Sequence, residues 1–359
     1  PVSGTSFSAA MVSGAAALIK ATNPGIGVED VRTLLVTTAA DVGDEGRQAG
    51  TGAGGLQVES AVRQSVYMAM NGTWSRTDSV VASGNANRTW LWGDSWFEWE
   101  YEPYADAQHG TRLVYYYDKS RMEVTDPLDD RSDPWYVTNG LLVKELITGE
   151  LQIGDDQFES RGPAQVNVAG DPDDDRGPTY AAFIEHLDAP AVRAGDRLVL
   201  TIDRDGTLGS ATRLADYGVT GGELIPETGH RVASIFWDYL NSSGVVSTPD
   251  GLQTGRIFDP WFYATGYPIT EAYWAEVKLK GVYTDVLVQC FERRCLTYTP
   301  SNDPGWRVEM GNVGLHYYEW RYGQLPGDED SAGTTRQTAS LTPFDRATDI
   351  VRRFSRPFN

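Results

Sequence analysis

Cysteine is nearly absent from the 359 residues: Cys290 and Cys295 are the only two, five positions apart in VQCFERRCLTY. Two thiolates without a second cysteine pair supply half a tetrahedral zinc site, which argues against a structural metal there. A disulfide is expected instead, and it suits an oxidising compartment. Along one straight strand, five residues cover roughly 16 Å, well beyond the Cα spacing of a bridge. The pairing therefore requires a turn at Glu292-Arg293-Arg294; in a straight run both cysteines would be buried thiols. Histidine is also scarce, at four: His109, His186, His230 and His316. Basic residues are outnumbered 30 to 50, for a formal net charge of −20, which repels nucleic acid and anionic membrane surfaces. No apolar run approaches the roughly 20 residues of a membrane-spanning helix, since Met11 to Ile19 is cut by Ser13 and Gly14 and closed by Lys20.

What remains is ample for packed cores. A 40% hydrophobic content over this length fits two or three domains of roughly 100–200 residues. Residues 1–72 read as helical. From Phe7 to Thr22 the chain is apolar or small on every side, as in a helix packed among other elements. After the turn residues NPGIG, Val31, Leu34, Leu35 and Thr38 fall on one helical face, with Glu29 and Asp30 in the first turn. GTGAGG (Gly50 to Gly55) marks a tight connection, and LQVESAVRQSVYMAM a third helix. Three such helices leave much apolar surface uncovered, so they are expected to be the end of a domain begun upstream.

Residues 73–323 are aromatic-rich and strand-like and read as a mainly β, α+β accessory domain. Its best helix is HRVASIFWDYLNSSG, with Val232, Ile235, Phe236 and Tyr239 on one face. RLVYYYDKSRMEVTDP and DVLVQCFERRCLTYTP overlay from Val114 and Val288: Tyr117 meets Phe291, Asp118 meets Glu292, Lys119 meets Arg293 and Met122 meets Leu296. The overlay predicts a duplicated hairpin, hence two related halves. Residues 324–359 are Gly-, Ser-, Thr- and acid-rich without periodicity and read as a flexible tail.

The strongest chemical feature is the opening, Gly4-Thr5-Ser6 directly before a helix. A helix N-terminus stabilises the negative charge that develops when an alkoxide attacks and an oxyanion forms, though serine also favours that position simply as a cap. The longer pattern PVSGTSFSAAMVSGAAALIKATNPGIGVEDVRTLLVTTAADVG resembles the nucleophile segment of subtilisin-like serine proteases. Gly4, Thr5, Ser6, Val12 and Gly14 match the GTSMAxPHVxG pattern, and Ala15 to Ile19, Asn23-Pro24, Val31-Arg32, Leu35, Thr38-Ala39 and Gly43 continue the match. The likeness covers residues 1 to about 65. It implies the last helices of an α/β fold around a parallel sheet, with Ser6 as nucleophile and Gly4 and Thr5 supporting its turn. Ala10 and Met11 stand where the family has proline and a non-catalytic histidine. The family's catalytic Asp, catalytic His and oxyanion Asn precede the nucleophile in chain order, and only five residues precede Ser6 here. The implied parent is a secreted serine endopeptidase acting on protein or peptide substrates, and this chain alone is expected to be inactive.

Weaker candidates lie downstream. DPDDDRGPT (Asp171 to Thr179) and DRDGT (Asp203 to Thr207) gather carboxylates that calcium could use, but without the spacing of an EF-hand loop. No cofactor is expected. Trp90, Trp92, Trp96 and Trp99, and Tyr263, Tyr267, Tyr273 and Trp274, could stack on sugars, although alternation in a strand context favours a core. Glu98/Glu100 and Glu271/Glu276 are paired acids of the glycosidase type. FWDYLNSSG, ATGYPITEAYW and VLVQCFERRCLTYTP also resemble LGFP-type repeats of bacterial envelope proteins, which implies a cell-wall or glycan ligand; FERRC lacks that repeat's glycine. The alternative to the protease reading is a non-catalytic extracellular or envelope binding protein with a degenerate protease remnant.

Overall fold

A computed structural model of the chain describes residues 5–43 and 51–323; Gly4, Gly50 and the expected tail from residue 324 onward lie outside the described residues. Three helices come first. Helix α1 (Thr5–Thr22) buries Ala15, Ile19 and Thr22, while Phe7, Met11 and Leu18 stay exposed at 55%, 63% and 52%. Helix α2 (Val28–Thr37) opens with Glu29 and Asp30 and buries Val31 and Leu34, the face expected from spacing. Ala40 and Gly55 exchange backbone hydrogen bonds of 2.8 and 2.7 Å. Gly54 there has φ +117°, and a Cβ on it would stand 2.2 Å from the Ala40 carbonyl, so only glycine fits this close approach.

Helix α3 (Val58–Thr77) serves two cores. Its Ala61 packs with Ile19, Ile26, Val31 and Leu34, whereas its Val66, Tyr67, Met70 and Trp74 enter the main core of the aromatic-rich part. It runs unbroken across the expected boundary at residues 72 and 73. A short helix α4 (Ser79–Ala82) follows.

The rest is an α+β mixture. Strands β1 (Trp96–Pro103), β2 (Thr111–Tyr117) and β3 (Ser120–Val124) form an antiparallel sheet. Helix α5 (Leu142–Thr148) and the hairpin β4 (Glu150–Gln152) and β5 (Phe158–Ser160) come next. After β6 (Leu200–Ile202), β7 (Leu208–Ser210), and the paired β8 (Gly221–Ile225) and β9 (His230–Ala233), helix α6 spans Ser234–Leu240. Val232, expected on that helix, lies in β9, because residues 230–233 pair with β8 instead of joining the helical turn. The hairpin β10 (Ser243–Thr248) and β11 (Gly251–Arg256) leads to β12 (Tyr273–Leu279), β13 (Val282–Cys290), β14 (Cys295–Tyr298), β15 (Val308–Met310) and helix α7 (Val313–Tyr322). One six-stranded sheet has the order β15-β14-β13-β12-β6-β7, antiparallel except where β12 meets β6.

The overlay of the two hairpins holds residue by residue. In the first, Leu113 pairs with Val124 and Tyr117 with Ser120; in the second, Leu287 pairs with Tyr298 and Phe291 N–H donates to the Arg294 carbonyl at 2.7 Å. Asp118-Lys119 and Glu292-Arg293 are thus equivalent two-residue turns. A short extended segment and a helix follow each hairpin: Thr138 pairs with Glu123 before α5, and Glu309 with Thr297 before α7. Each helix ends on a left-handed glycine, Gly149 and Gly323.

The halves are interlocked. The third residue of α5, Lys144, donates its backbone N–H to Glu292 O at 3.1 Å, and the third residue of α7, Leu315, donates to Asp118 O at 3.1 Å. Each helix start is therefore capped by the other half's hairpin turn, which satisfies an amide that a helix cannot pair internally. Gly314 permits this contact, since a Cβ there would lie 1.9 Å from Tyr117 O and 2.4 Å from Ser120 O.

Behind the first sheet lies a buried ionic cluster. Glu102, 1% exposed, meets Arg121 Nη1 at 3.0 Å, Arg321 Nη1 at 3.1 Å and Arg112 Nη2 at 3.8 Å. Glu123 takes Arg112 and Arg121 at 3.2 and 3.0 Å. The Tyr116 and Tyr322 hydroxyls donate to Glu102, and Tyr317 donates to Glu145 at 2.6 Å. Burial pushes the Glu102 carboxyl up, but Arg121, Arg321 and Arg112 outweigh it and leave it at about 2. The cluster ties α7 of the second half to β1 of the first.

Candidate functional site

Ser6 is the second residue of α1 and is exposed, as is every position from Thr5 to Gly14. The free N–H groups of this first turn make the local field that favours an anion. Thr5 begins the same helix. Among the described residues, no histidine or carboxylate hydrogen-bonds the Ser6 hydroxyl.

Three of the four histidines hydrogen-bond partners other than Ser6. His230 is buried and resembles half of a triad, with Nδ1 3.1 Å from Glu271 Oε1, but its Nε2 stands 2.8 Å from the Leu187 carbonyl. Both ring nitrogens of His230 are thus taken up by partners other than Ser6. Burial lowers its pKa, and the bonds to Glu271 and Leu187 outweigh that and raise it. His186 Nε2 bonds the Gly206 carbonyl at 2.7 Å. His316 Nδ1 meets the Tyr180 hydroxyl at 2.9 Å, and burial, helped by Lys119, lowers it to about 4. His109 is exposed.

The other sequence candidates have structural roles. Cys290 and Cys295 face each other across β13 and β14 and form a disulfide, with the chain turning at Glu292-Arg293. Asp171 accepts the Lys280 and Gly281 N–H groups at 3.0 and 2.7 Å. Asp174 accepts those of Arg176, Gly177 and Lys278, and Asp203 those of Asp205 and Thr207. Among the described residues no three His, Cys, Asp or Glu side chains gather as a metal would need. Trp92, Tyr273 and Trp274 are fully buried, and Trp90, Trp96, Trp99, Tyr263 and Tyr267 pack against the main core, so these aromatics are not an open platform. Glu98 accepts from the Trp99 N–H, and the Glu100 side chain has a partner of its own. Glu271 is buried against His230, while Glu276 pairs with Arg176 at the surface.

One concave site escaped the sequence reading. A cleft of about 660 Å³ opens between β13, β14 and β15, the loop 168–171 and the start of α7. Lys119, from the first half's hairpin turn, reaches into it and donates from Nζ to the Met310 carbonyl and to Asn312 Oδ1, both at 3.0 Å. Burial pushes this lysine down, with Glu309 opposing, and burial pushes Glu309 up, with Lys119 opposing. Shifted groups gathered in one cleft are a mark of functional sites. The signal available beforehand was the overlay that set Lys119 against Arg293.

Residues 1–54 match the model of the subtilase family of peptidases. This supports a subtilase segment in this part of the chain and a serine-peptidase origin for it. Comparison with curated proteins and with solved structures gave no match. Likeness to LGFP-type repeats rests on the sequence motifs alone. Among the described residues no helix is long and apolar enough to cross a membrane.

Proposed function

We propose that the chain is part of a secreted subtilisin-like serine endopeptidase in which Ser6 is the acylating nucleophile and residues 73–323 hold the enzyme to its substrate or to cell-envelope material. The observation that carries this reading is the family match over residues 1–54, with Ser6 exposed in the first turn of α1. In peptide hydrolysis Ser6 Oγ would attack the scissile carbonyl carbon while a histidine takes its proton, giving an acyl-enzyme that water then cleaves. The resemblance to the family's nucleophile segment gives Gly4 and Thr5 the role of supporting the nucleophile.

Without a base a serine hydroxyl stays protonated and is a poor nucleophile. The chain alone is therefore inactive on peptides. A fluorophosphonate probe tests this: no labelling of Ser6 is expected here, and labelling is expected once upstream sequence carrying D-[ST]-G and H-G-T-H stretches is joined to it. Labelling of the isolated chain would refute the inactivity, and a silent extended chain would refute the protease. The engagement of His186, His230 and His316 in hydrogen bonds of their own favours one second reading, a non-catalytic extracellular binding protein that keeps a protease remnant. Upstream sequence lacking both stretches would select it.

A further inference from the structure

The cleft beside Lys119 can be judged against its counterpart in the other half. Glu309 and Thr138 are equivalent by their pairing with Thr297 and Glu123, so Trp306 and Trp135, each three residues earlier, are equivalent as well. Trp135 is stacked on Phe262, with centroids 6.1 Å apart, and packed on Tyr263 at 5.6 Å, with Arg293 on its ring. Trp306 has no such ring contacts: among the described residues no aromatic ring packs on it, its Nε1 is anchored to Asn87 Oδ1 at 3.1 Å, and it stands half-buried at the border of the cleft. The same scaffold thus presents a ring-stacked tryptophan in one half and, in the other, a half-buried, anchored one that stacks on no ring and borders the cleft.

The lining narrows the ligand. Lys119 and Lys280 are offset by Glu309, Asp171 and Asp303, in a chain of net charge −20, which disfavours phosphorylated or strongly anionic ligands. A peptide adding a strand to β15 would need its outward carbonyls, yet Val308 O accepts from Thr89 Oγ1 at 3.2 Å and Met310 O from Lys119. What remains is a set of hydroxyls and amides, including Thr299, Ser301 and Asn302, beside one indole. The volume falls within the roughly 300–1,000 Å³ of small-ligand sites.

We propose that this cleft is a binding site for a neutral oligosaccharide, which stacks a sugar ring on Trp306 and hydrogen-bonds the hydroxyl and amide groups of the β14–β15 connection. The proposal rests on the reading of residues 73–323 as a binding domain and is independent of Ser6. Its test is titration of the whole chain with cellotetraose, xylotetraose, maltotetraose, chitotetraose and tetragalacturonate, followed by calorimetry. Saturable millimolar or tighter binding of at least one neutral member is expected. Trp306→Ala should weaken it roughly tenfold or more, as the loss of an aromatic contact and its buried area implies. Ser301→Trp, at an exposed position on the cleft wall, should block it with the fold unchanged by near-ultraviolet circular dichroism. Binding of no neutral member, of tetragalacturonate alone, or of a neutral member with equal affinity in Ser301→Trp would overturn the proposal. A parallel pull-down on envelope material separates the two readings. Retention unchanged in Ser301→Trp would leave the binding domain standing and remove the cleft, whereas oligosaccharide binding without retention would do the reverse.

Discussion

Replacing Glu102 by glutamine keeps the volume of the side chain and removes the charge on which three guanidiniums converge. Arg121, Arg321 and Arg112 would then face one another in a site 2% exposed or less at Glu102, Arg112 and Arg121 and 8% at Arg321. Breaking a buried ion pair from one side costs about 3–5 kcal/mol, because the partners are left buried and uncompensated. The depressed pKa gives a similar figure. A carboxyl held at about 2 instead of its ordinary 4.5 corresponds to about 3 kcal/mol at 1.36 kcal/mol per pH unit. Urea unfolding followed by tryptophan fluorescence measures it, since all 11 tryptophans lie between Trp74 and Trp320. A lower midpoint with the same slope is expected.

The pH dependence provides the sharper check. A carboxyl depressed in the folded state contributes its stability in full above the unfolded value near 4.5, and loses it as pH falls towards about 2. The gap between the parent chain and Glu102→Gln should therefore be about 3 kcal/mol at neutral pH and shrink by about half by pH 3. Adding Arg321→Met to Glu102→Gln should recover part of the loss by thinning the excess positive charge. A loss under about 1 kcal/mol at neutral pH, within the range of an exposed pair, would refute the reasoning, as would a gap that does not change on acidification.

Two further substitutions test the interlocking of the halves. Gly314→Ala places a Cβ 1.9 Å from Tyr117 O and should destabilise by about 1–3 kcal/mol, the range of overpacking, with loss of amide-exchange protection at Leu315; an unchanged melting temperature would show that α7 is not held by the first hairpin. Paired Cys290→Ser and Cys295→Ser open a bridge of sequence separation 5 and should cost about 2 kcal/mol by loop entropy, read as a lower urea midpoint that the parent chain reproduces only under reducing conditions.

Local features were legible in the sequence wherever a short pattern dictated a short structure. The helices over Thr5–Thr22, Val28–Thr37 and Val58–Thr77 follow from composition, apolar spacing and the glycine turn between the last two. Overlay of Val114 on Val288 predicted the two hairpins, whereas the two-residue length of their turns emerged only from the pairing. What stayed illegible depends on long-range partners. Nothing local marks Arg112, Arg121 and Arg321 as buried, because a charged residue enters a core only where its counter-charges converge. The cleft is built from Lys119, the 168–171 loop and the β13–β15 face, segments far apart in the chain. Val232 follows the helical spacing, yet pairing with β8 overrides it.

The two overlaid hairpins differ at one directly opposed pair. Position by position, Tyr116 and Arg121 of the first hairpin correspond to Cys290 and Cys295 of the second, each pair being directly opposed across its ladder. One half anchors this rung with a guanidinium held by Glu102 and Glu123; the other anchors it with a covalent bridge. Glu123 corresponds to Thr297, so the second hairpin has a neutral residue where the first has a carboxylate. A guanidinium without those carboxylates would be a buried unpaired charge, and carboxylates without it would be equally costly. Thr297 and His316 both line the cleft. The second hairpin thus borders an open polar cleft where the first carries a buried ionic cluster.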